Sequence, residues 1–315
     1  MRRSFRPALG SLARYGIFVA LLSELILFSV LSDDFFSIDN QLNVLRQNAA
    51  ITIVAAGMTF VILTGGIDLS VGSLMALAAV ACAEGMIGIG VDPAAGIPLA
   101  VLVGILASAV AGLANGFIIT RIRIPPFVTT LAMMTMARGL VLHHTDSRTI
   151  HGLPESFGRL GNGALPIMIM LLVIAAAWLL LMRTPFGRHV YAVGGNRSAA
   201  HLCGIRVHRV LLVVYLLSGA LAGLGGVLMA ARLNVGDPKI GQLYELDAIA
   251  AVVVGGTSLM GGRGSIWGTL AGALVIGELN NFLSLRNVPY YSQKIVIGVV
   301  LILAAFLDRF RVERD

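Results

Sequence analysis

Apolar residues come in blocks of about the length that crosses a bilayer as a helix, ~20 residues. The blocks are separated by short stretches of Gly, Pro, Asn and Arg. Ten such segments are predicted, at roughly 13–31, 47–64, 71–90, 96–119, 126–142, 165–182, 210–231, 244–260, 265–284 and 292–308. The first follows MRRSFRPALGSLARYG, is long, contains Glu24 and has no small-residue cleavage site after it. It therefore reads as an uncleaved membrane helix rather than a signal peptide. The pattern predicts an all-α polytopic membrane protein with about ten transmembrane helices, and a single domain over 1–315.

Composition agrees. The chain is 57% hydrophobic and only 12% charged, with a mean hydropathy of +0.89. A soluble fold of this size needs more charge to cover its surface. The net charge of +7 does not point to nucleic acid, because no basic run is interleaved with aromatics. Its distribution instead sets orientation, since Lys and Arg gather on the cytoplasmic side. With the N-terminus inside, 15 of the 23 Lys and Arg fall on cytoplasmic segments and 7 on outer ones, leaving Arg138 within a helix. Both termini are then cytoplasmic. The basic stretch 183–209 faces the cytoplasm, and 143–166 is the largest outer loop. SDDFFSIDNQLN, 32–43, reads as an acidic outer segment.

Enzyme chemistry is missing from this frame. There is no GxSxG, GxGxxG or GxxxxGK[ST], the two cysteines have no metal spacing, and the six histidines form no HExxH. Both lysines, Lys239 and Lys294, lie on predicted outer segments. The chain thus lacks the phosphate-loop lysine of an ATPase. No metal site and no catalytic residue is expected.

Several polar or glycine-rich features remain. TGGIDLSVGS (64–73) and VGGTSLMGGRGS (254–265) echo each other. Paired interruptions of this kind are either tight turns between adjacent helices or broken helices beside a transport site. Asp68 or Ser70 can cap the helix that follows, or Asp68 can meet a ligand. Gly264, Gly268 and Gly272 recur at four-residue spacing, as do glycines in 112–116 and 219–223. That spacing lets helix backbones approach closely. Glu24, Glu84, Arg138 and Glu278 fall within apolar segments, where a charge must face the bundle, a partner or water. Three carboxylates of this kind leave a proton-coupled secondary transporter as an alternative function.

RTPFGRHVYAVGGNRSAAHLCGIRVHR, 183–209, carries five arginines and three histidines but no carboxylate. Asn196 can cap a short helix, RSAAHLC, and Gly204 can end it in the left-handed conformation. Gly194 and Gly195 allow a sharp turn just before it. Such a helix suits docking into a partner's groove. It equally suits resting on anionic lipid headgroups, and spacing does not decide between them.

Taken together, four stretches resemble one family. They are 187–207 of that loop, MTFVILTGGIDLSVGSLMAL (58–77), NGFIITRIRIPPFVTTLAMMTMARGL (115–140) and YELDAIAAVVVGGTSLMGGRGSIWGTLAGALVIGELNN (244–281). The chain resembles ribose-type permeases of ATP-binding-cassette sugar importers, the branch that takes ribose, xylose, arabinose and galactose, in the same order from about 35 to 308. The resemblance implies a vitamin-B12-importer-like bundle in the bacterial inner membrane, paired with a second permease subunit as a homodimer. A periplasmic binding protein would deliver a monosaccharide. A separate ATPase, often a tandem-domain chain, would bind ATP and magnesium and dock inside. It also implies that 183–209 supplies the coupling helix, through Gly187, Gly194, Gly195, Asn196, Ala199, Ala200, Gly204 and Ile205. A sugar path needs hydrogen-bonding groups, and Asp68, Asn115, Thr129 and Asn280 are the candidates. Cys203 stands where this family usually has Ser, and Glu278 where it is usually apolar. The doubled Pro125 and Pro126 should stiffen the start of the fifth helix.

Overall fold

The computed structural model describes residues 6–89 and 93–312, so Arg2, Arg3 and Arg314 lie outside the described residues. Thirteen α-helices account for about four-fifths of the described residues. They are α1 (Arg6–Leu31), α2 (Ile38–Leu63), α3 (Val71–Ile89), α4 (Pro93–Phe117), α5 (Pro126–His144), α6 (Glu155–Gly161), α7 (Leu165–Arg183), α8 (Pro185–Gly195), α9 (Arg197–Leu202), α10 (Val207–Leu233), α11 (Tyr244–Val254), α12 (Ile266–Leu285) and α13 (Tyr290–Val312). A π-turn over Ile118–Ile122 unwinds the end of α4. Each predicted segment coincides with a helix. Five, α2, α3, α4 with its π-turn, α7 and α10, are long and apolar enough among the described residues to cross a membrane.

α10 is the centre, packed against α4, α2 and α3. Small residues make this possible. A Cβ on Gly112 would sit 2.4 Å from the Tyr215 carbonyl oxygen and 2.9 Å from Gly219 Cα. One on Gly226 would sit 2.2 Å from the Met75 carbonyl. These helices touch backbone to backbone, which gains dispersion contacts that lipid cannot supply. In the 264–272 series only Gly268 and Gly272 do this, against Gly255 and Ala251 of the α11 end. Gly264 precedes the helix. It sits at φ +157 with Thr257 where a side chain would go.

The two glycine interruptions resolve differently. Residues 255–265 form a turn, stapled to the end of α2 by the Gly262 N–H donating to the Leu63 carbonyl at 2.9 Å. Residues 64–70 instead run without helix into the bundle. Leu63 lies at the loop end, whereas Asp68 already reaches Ser218 of α10, eleven residues or about 16 Å along that helix. α3 therefore starts part-way up.

The predicted helix 244–260 is shorter than expected. α11 spans 11 residues, about 16 Å against a ~30 Å hydrocarbon core. Gly255 and Gly256 stop it. Before it, the 234–243 connection dips inward until Gly241 meets Gly72 at the start of α3. Arg138 of α5 holds that dip by donating to the Pro238, Ile240 and Gly72 carbonyls. A guanidinium with carbonyl partners inside an apolar bundle satisfies the cost of burying it.

Candidate functional site: an amide-lined cavity and the loop at the opposite end

A cavity of about 550 Å³ opens at the end of the bundle away from 183–209. The first half of α2 and the second half of α12 form its walls, and the ends of α10, α11 and α13 close it. α2 begins nine residues earlier than its apolar segment, because Ser37 caps it by accepting the Asn40 N–H. The added turns are polar, and Asn40, Asn43, Gln47 and Asn48 share the helix face turned to the cavity. Asn280, Asn281 and Ser284 answer them from α12, and Gln293 from α13.

The mouth is pinned by reciprocal amide bonds between Asn40 and Asn281, both 2.9 Å. Across it Lys294 Nζ donates to both oxygens of Asp247 at 2.9 and 2.8 Å. Deeper down, Asn48 is only 8% exposed. Its carboxamide fills the space where Gly277 has no side chain, with Nδ2 the atom nearest Gly277, and that Nδ2 has no hydrogen-bond partner among the described residues. A buried amide N–H without an acceptor is costly. Seven carboxamides offer donors and acceptors without net charge, Asp247 and Lys294 offset each other, and Arg232 adds one guanidinium donor. A lining dominated by amides suits a polyhydroxylated molecule. Val44, Ile51, Ala273 and Ile276 supply apolar wall for its C–H face.

Of the four predicted path residues, only Asn280 lines this cavity. Asp68 and Asn115 come together elsewhere, with all relevant side chains buried. Ser70 donates through N–H and Oγ to one Asp68 oxygen, Ser218 Oγ donates to the other at 2.8 Å, and Asn115 Nδ2 donates to Ser70 Oγ at 2.9 Å. This network anchors the extended 64–70 segment and the start of α3. Thr129 returns its hydroxyl to the Pro125 carbonyl. Its neighbour Thr130 reaches the Ile67 carbonyl at 3.3 Å, so α5 also clasps that segment.

The intramembrane acids separate. Glu84 pairs with His144 at 2.8 Å on an exposed end of α3 and α5. Glu278 is 3% exposed and accepts from Gln41 Nε2 at 3.5 Å. It faces α1, near enough to Glu24 for their charges to interact.

At the opposite end, 183–209 contains two helices. Thr184 caps α8 by accepting the Gly187 N–H at 3.3 Å, with Pro185 at the first helical position, where its missing N–H costs nothing. A Cβ on Gly187 would lie 1.9 Å from the Leu181 carbonyl, so α8 folds tightly back on α7. Gly194 and Gly195 are not a turn but the last two residues of α8. The turn falls at Asn196, whose side chain caps α9 by accepting the Ala199 N–H at 2.9 Å. α9 closes through the Ile205 N–H bonded to the Ala200 carbonyl, with Gly204 at φ +84, the Schellman geometry. Ala200 is buried and Ala199 exposed, while Leu202 projects outward at 86% exposure.

Three contacts lock this loop to the bundle. Gly194 packs on Leu63 and Gly262 so closely that a Cβ would lie 1.7 Å from the Leu63 carbonyl oxygen. Arg197 Nη2 donates to the Thr64 carbonyl at 3.0 Å. Tyr191 donates its hydroxyl to the Gly264 carbonyl at 2.8 Å, and burial pushes that phenol up to about 12. The loop thus grips the ends of α2 and of the α11–α12 turn, and the far ends of α2 and α12 line the cavity.

Comparison with known proteins matches this architecture to a family described as "Branched-chain amino acid transport system / permease component", over residues 40–305. The chain belongs to this permease family. It is 47% identical over 307 residues to the ribose import permease protein of Bacillus subtilis (strain 168), covering 95% of this chain and 94% of that one. It is 45% identical to the ribose import permease protein of Escherichia coli (strain K12), covering 92% of each. The D-allose transport system permease protein of the same strain is 35% identical, covering 94% of this chain and 91% of its own. No solved structure matches. The ribose-type resemblance carried by the motifs is therefore shown, and with it a multi-pass membrane permease.

The residues missed from the sequence, Asn40, Asn43, Gln47 and Asn48, carried a usable signal. They repeat at i, i+3, i+7 and i+8 behind a Ser cap, which is helical spacing in polar rather than apolar residues.

Proposed function

We propose that this chain is the membrane-spanning subunit of an ATP-driven importer that moves a neutral monosaccharide, ribose or a related sugar, from periplasm to cytoplasm across the bacterial inner membrane. Ten segments cross the bilayer, at α1–α5, α7 and α10–α13, the short α11 together with the inward-dipping 234–243 connection, and both termini and the α8–α9 loop are cytoplasmic. The amide cavity then opens outward, where a periplasmic binding protein releases its sugar. The exposed surface of α9 meets a separate ATPase, often a tandem-domain chain, which holds the ATP and magnesium. A second copy of the permease completes the path.

One observation carries this reading. The α8–α9 loop grips α2 and the α11–α12 turn at one end of the bundle, and those same helices wall the cavity at the other. α2 is a 26-residue rod, about 39 Å long. Motion imposed on the loop by a closing ATPase dimer is therefore delivered to the sugar cavity without any chemistry in this chain. Such coupling needs two states that both sites bias. The coupling residues divide accordingly: Gly187, Gly194 and Ile205 seat the loop, Asn196, Ala200 and Gly204 shape α9, and Gly195 and Ala199 face outward.

The test is uptake by proteoliposomes holding the permease, its ATPase and its binding protein, across a panel of pentoses and hexoses. Uptake is expected only with ATP inside. Ala199→Arg should leave the fold and binding-protein docking intact while abolishing ATPase association. Uptake by this chain alone, driven by a pH gradient, would instead establish the proton-coupled alternative and sink the importer reading.

A further inference from the structure

A second cavity, about 450 Å³, lies between α8 and the first two turns of α10. Its chemistry is the reverse of the sugar cavity. No carboxamide lines it. His189, Arg206 and Arg209 supply the polar groups, and Phe186, Val210 and Val213 supply apolar wall. Arg206 and Arg209 are exposed, and neither makes an ion pair among the described residues. The whole stretch 183–209 contains no carboxylate that could serve them.

The level of this groove along the bundle is marked by its neighbours. Just before α8, the Arg183 guanidinium lies 5.8 Å over the Trp178 ring. Trp with Arg at the end of an apolar helix is the pairing expected at a membrane–water boundary. Phe186 follows three residues later. On the other wall, Val213 is 39% exposed on a helix apolar enough to span. One side of the groove is thus continuous with the apolar flank of the bundle, and the other carries two guanidiniums and an imidazole.

We propose that this groove binds an anionic phospholipid. Its phosphate lies between Arg206, Arg209 and His189, and the first acyl carbons lie over Phe186, Val210 and Val213. A free phosphate would use only the basic half, and an acidic protein segment would have no need of the side that opens on hydrocarbon. The inference requires only that the loop sits at a membrane surface, so it stands or falls separately from the importer reading. It also gives separate places to the two occupants that suit a basic loop: the lipid beside α10, and the protein partner on α9.

The experiment is native mass spectrometry of the full-length permease, alone and with any ATPase subunit that co-purifies, released from nanodiscs of mixed phosphatidylglycerol and phosphatidylcholine. The wild type is expected to retain phosphatidylglycerol selectively. Each guanidinium near a lipid surface is worth about fivefold in binding, so Arg206→Ala with Arg209→Ala should cut the retained glycerol-to-choline ratio by about 25-fold. Arg206→Lys with Arg209→Lys, which keeps the charge, should hold most of it and guards against a folding artefact. Inorganic phosphate should not displace the lipid. The proposal is overturned by an unchanged ratio in the alanine pair, by displacement with phosphate, or by loss of the ATPase subunit from the alanine pair while the lipid stays bound.

Discussion

Gly194 and Gly195 offer a sharp test, because one substitution made at adjacent positions should have opposite consequences. Gly194→Ala places a Cβ 1.7 Å from the Leu63 carbonyl oxygen and 2.6 Å from the Gly262 nitrogen. Both are backbone atoms in the seam that locks the loop to α2, so no side chain can swing aside. Relief requires α8 to lift by more than 1 Å. Overpacking of this kind costs about 1–3 kcal/mol. Lifting also strains the Tyr191–Gly264 and Arg197–Thr64 hydrogen bonds, at 2.8 and 3.0 Å, each worth about 1 kcal/mol. A total of about 3–5 kcal/mol shifts the balance between docked and undocked loop by roughly two to nearly four orders of magnitude.

Gly195→Ala meets nothing within 4 Å and sits in the helical region, where Ala is favoured over Gly by up to ~1 kcal/mol. It should be neutral or slightly stabilising. The assay is hydrogen exchange over 186–202 and 256–264 in the purified complex, read beside ATP-driven uptake. Gly194→Ala should lose protection in both segments and lose uptake, while Gly195→Ala keeps both. If Gly194→Ala retained wild-type protection, or Gly195→Ala were the more damaging of the two, the claim that Gly194 seats the loop by close approach would be refuted.

Asn48→Leu removes a buried amide from the wall of the proposed sugar cavity at nearly constant volume. The half-saturating sugar concentration for uptake should rise about 10- to 100-fold, the equivalent of ~1–3 kcal/mol, with the melting temperature unchanged or raised because an unpartnered buried donor is gone; an unaltered uptake curve would place the sugar elsewhere. Arg138→Met leaves the Pro238 and Ile240 carbonyls without their donor and should destabilise the protein by about 3 kcal/mol. Exchange should rise first over 234–243, and equal loss across all helices would count against a local clamp. Tyr191→Phe deletes one hydrogen bond, a cost of about 1 kcal/mol. Because the folded phenol is raised to about 12 from an ordinary value of 10.0, the wild-type advantage is whole below about pH 10. It is lost as the pH climbs toward 12, which thermal melts across that range would show.

What the sequence revealed, and what it hid, follows the reach of each interaction. The caps of α9 were legible, since Asn196 and Gly204 act on backbone groups within a few residues of themselves. α8 was not, because a Gly–Gly pair reads as a turn when only local chemistry is considered. Asn40 and Asn43 fall in the predicted outer segment 32–43, and Gln47 and Asn48 in the predicted helix, because a search for apolar periodicity passes over the first turns of a helix whose inward face is polar. Among the predicted path residues, Asp68 and Asn115 stand out in the sequence as polar groups in an apolar bundle. Yet what they contact depends on Ser218 of α10, a partner no local pattern names.

Glycine shows the limit most clearly. Gly204 is needed for its left-handed φ, Gly194 and Gly226 for backbone approach, and Gly277 to make room for Asn48, while a Cβ on Gly195 would meet nothing within 4 Å. These five positions look alike in sequence. Only the φ angle and the distance to the nearest backbone separate them, and those are properties of the packed bundle. The same distinction bears on function. The glycines with backbone against them make the bundle move as rods joined by tight seams. Gly195, where an added Cβ would meet open space, sits where α8 gives way to α9, on the exposed face of the loop. Under the proposed coupling, a loop that passes force inward has to be rigid against its own bundle and free on its outer face, and neighbouring glycines at 194 and 195 divide those two duties between them.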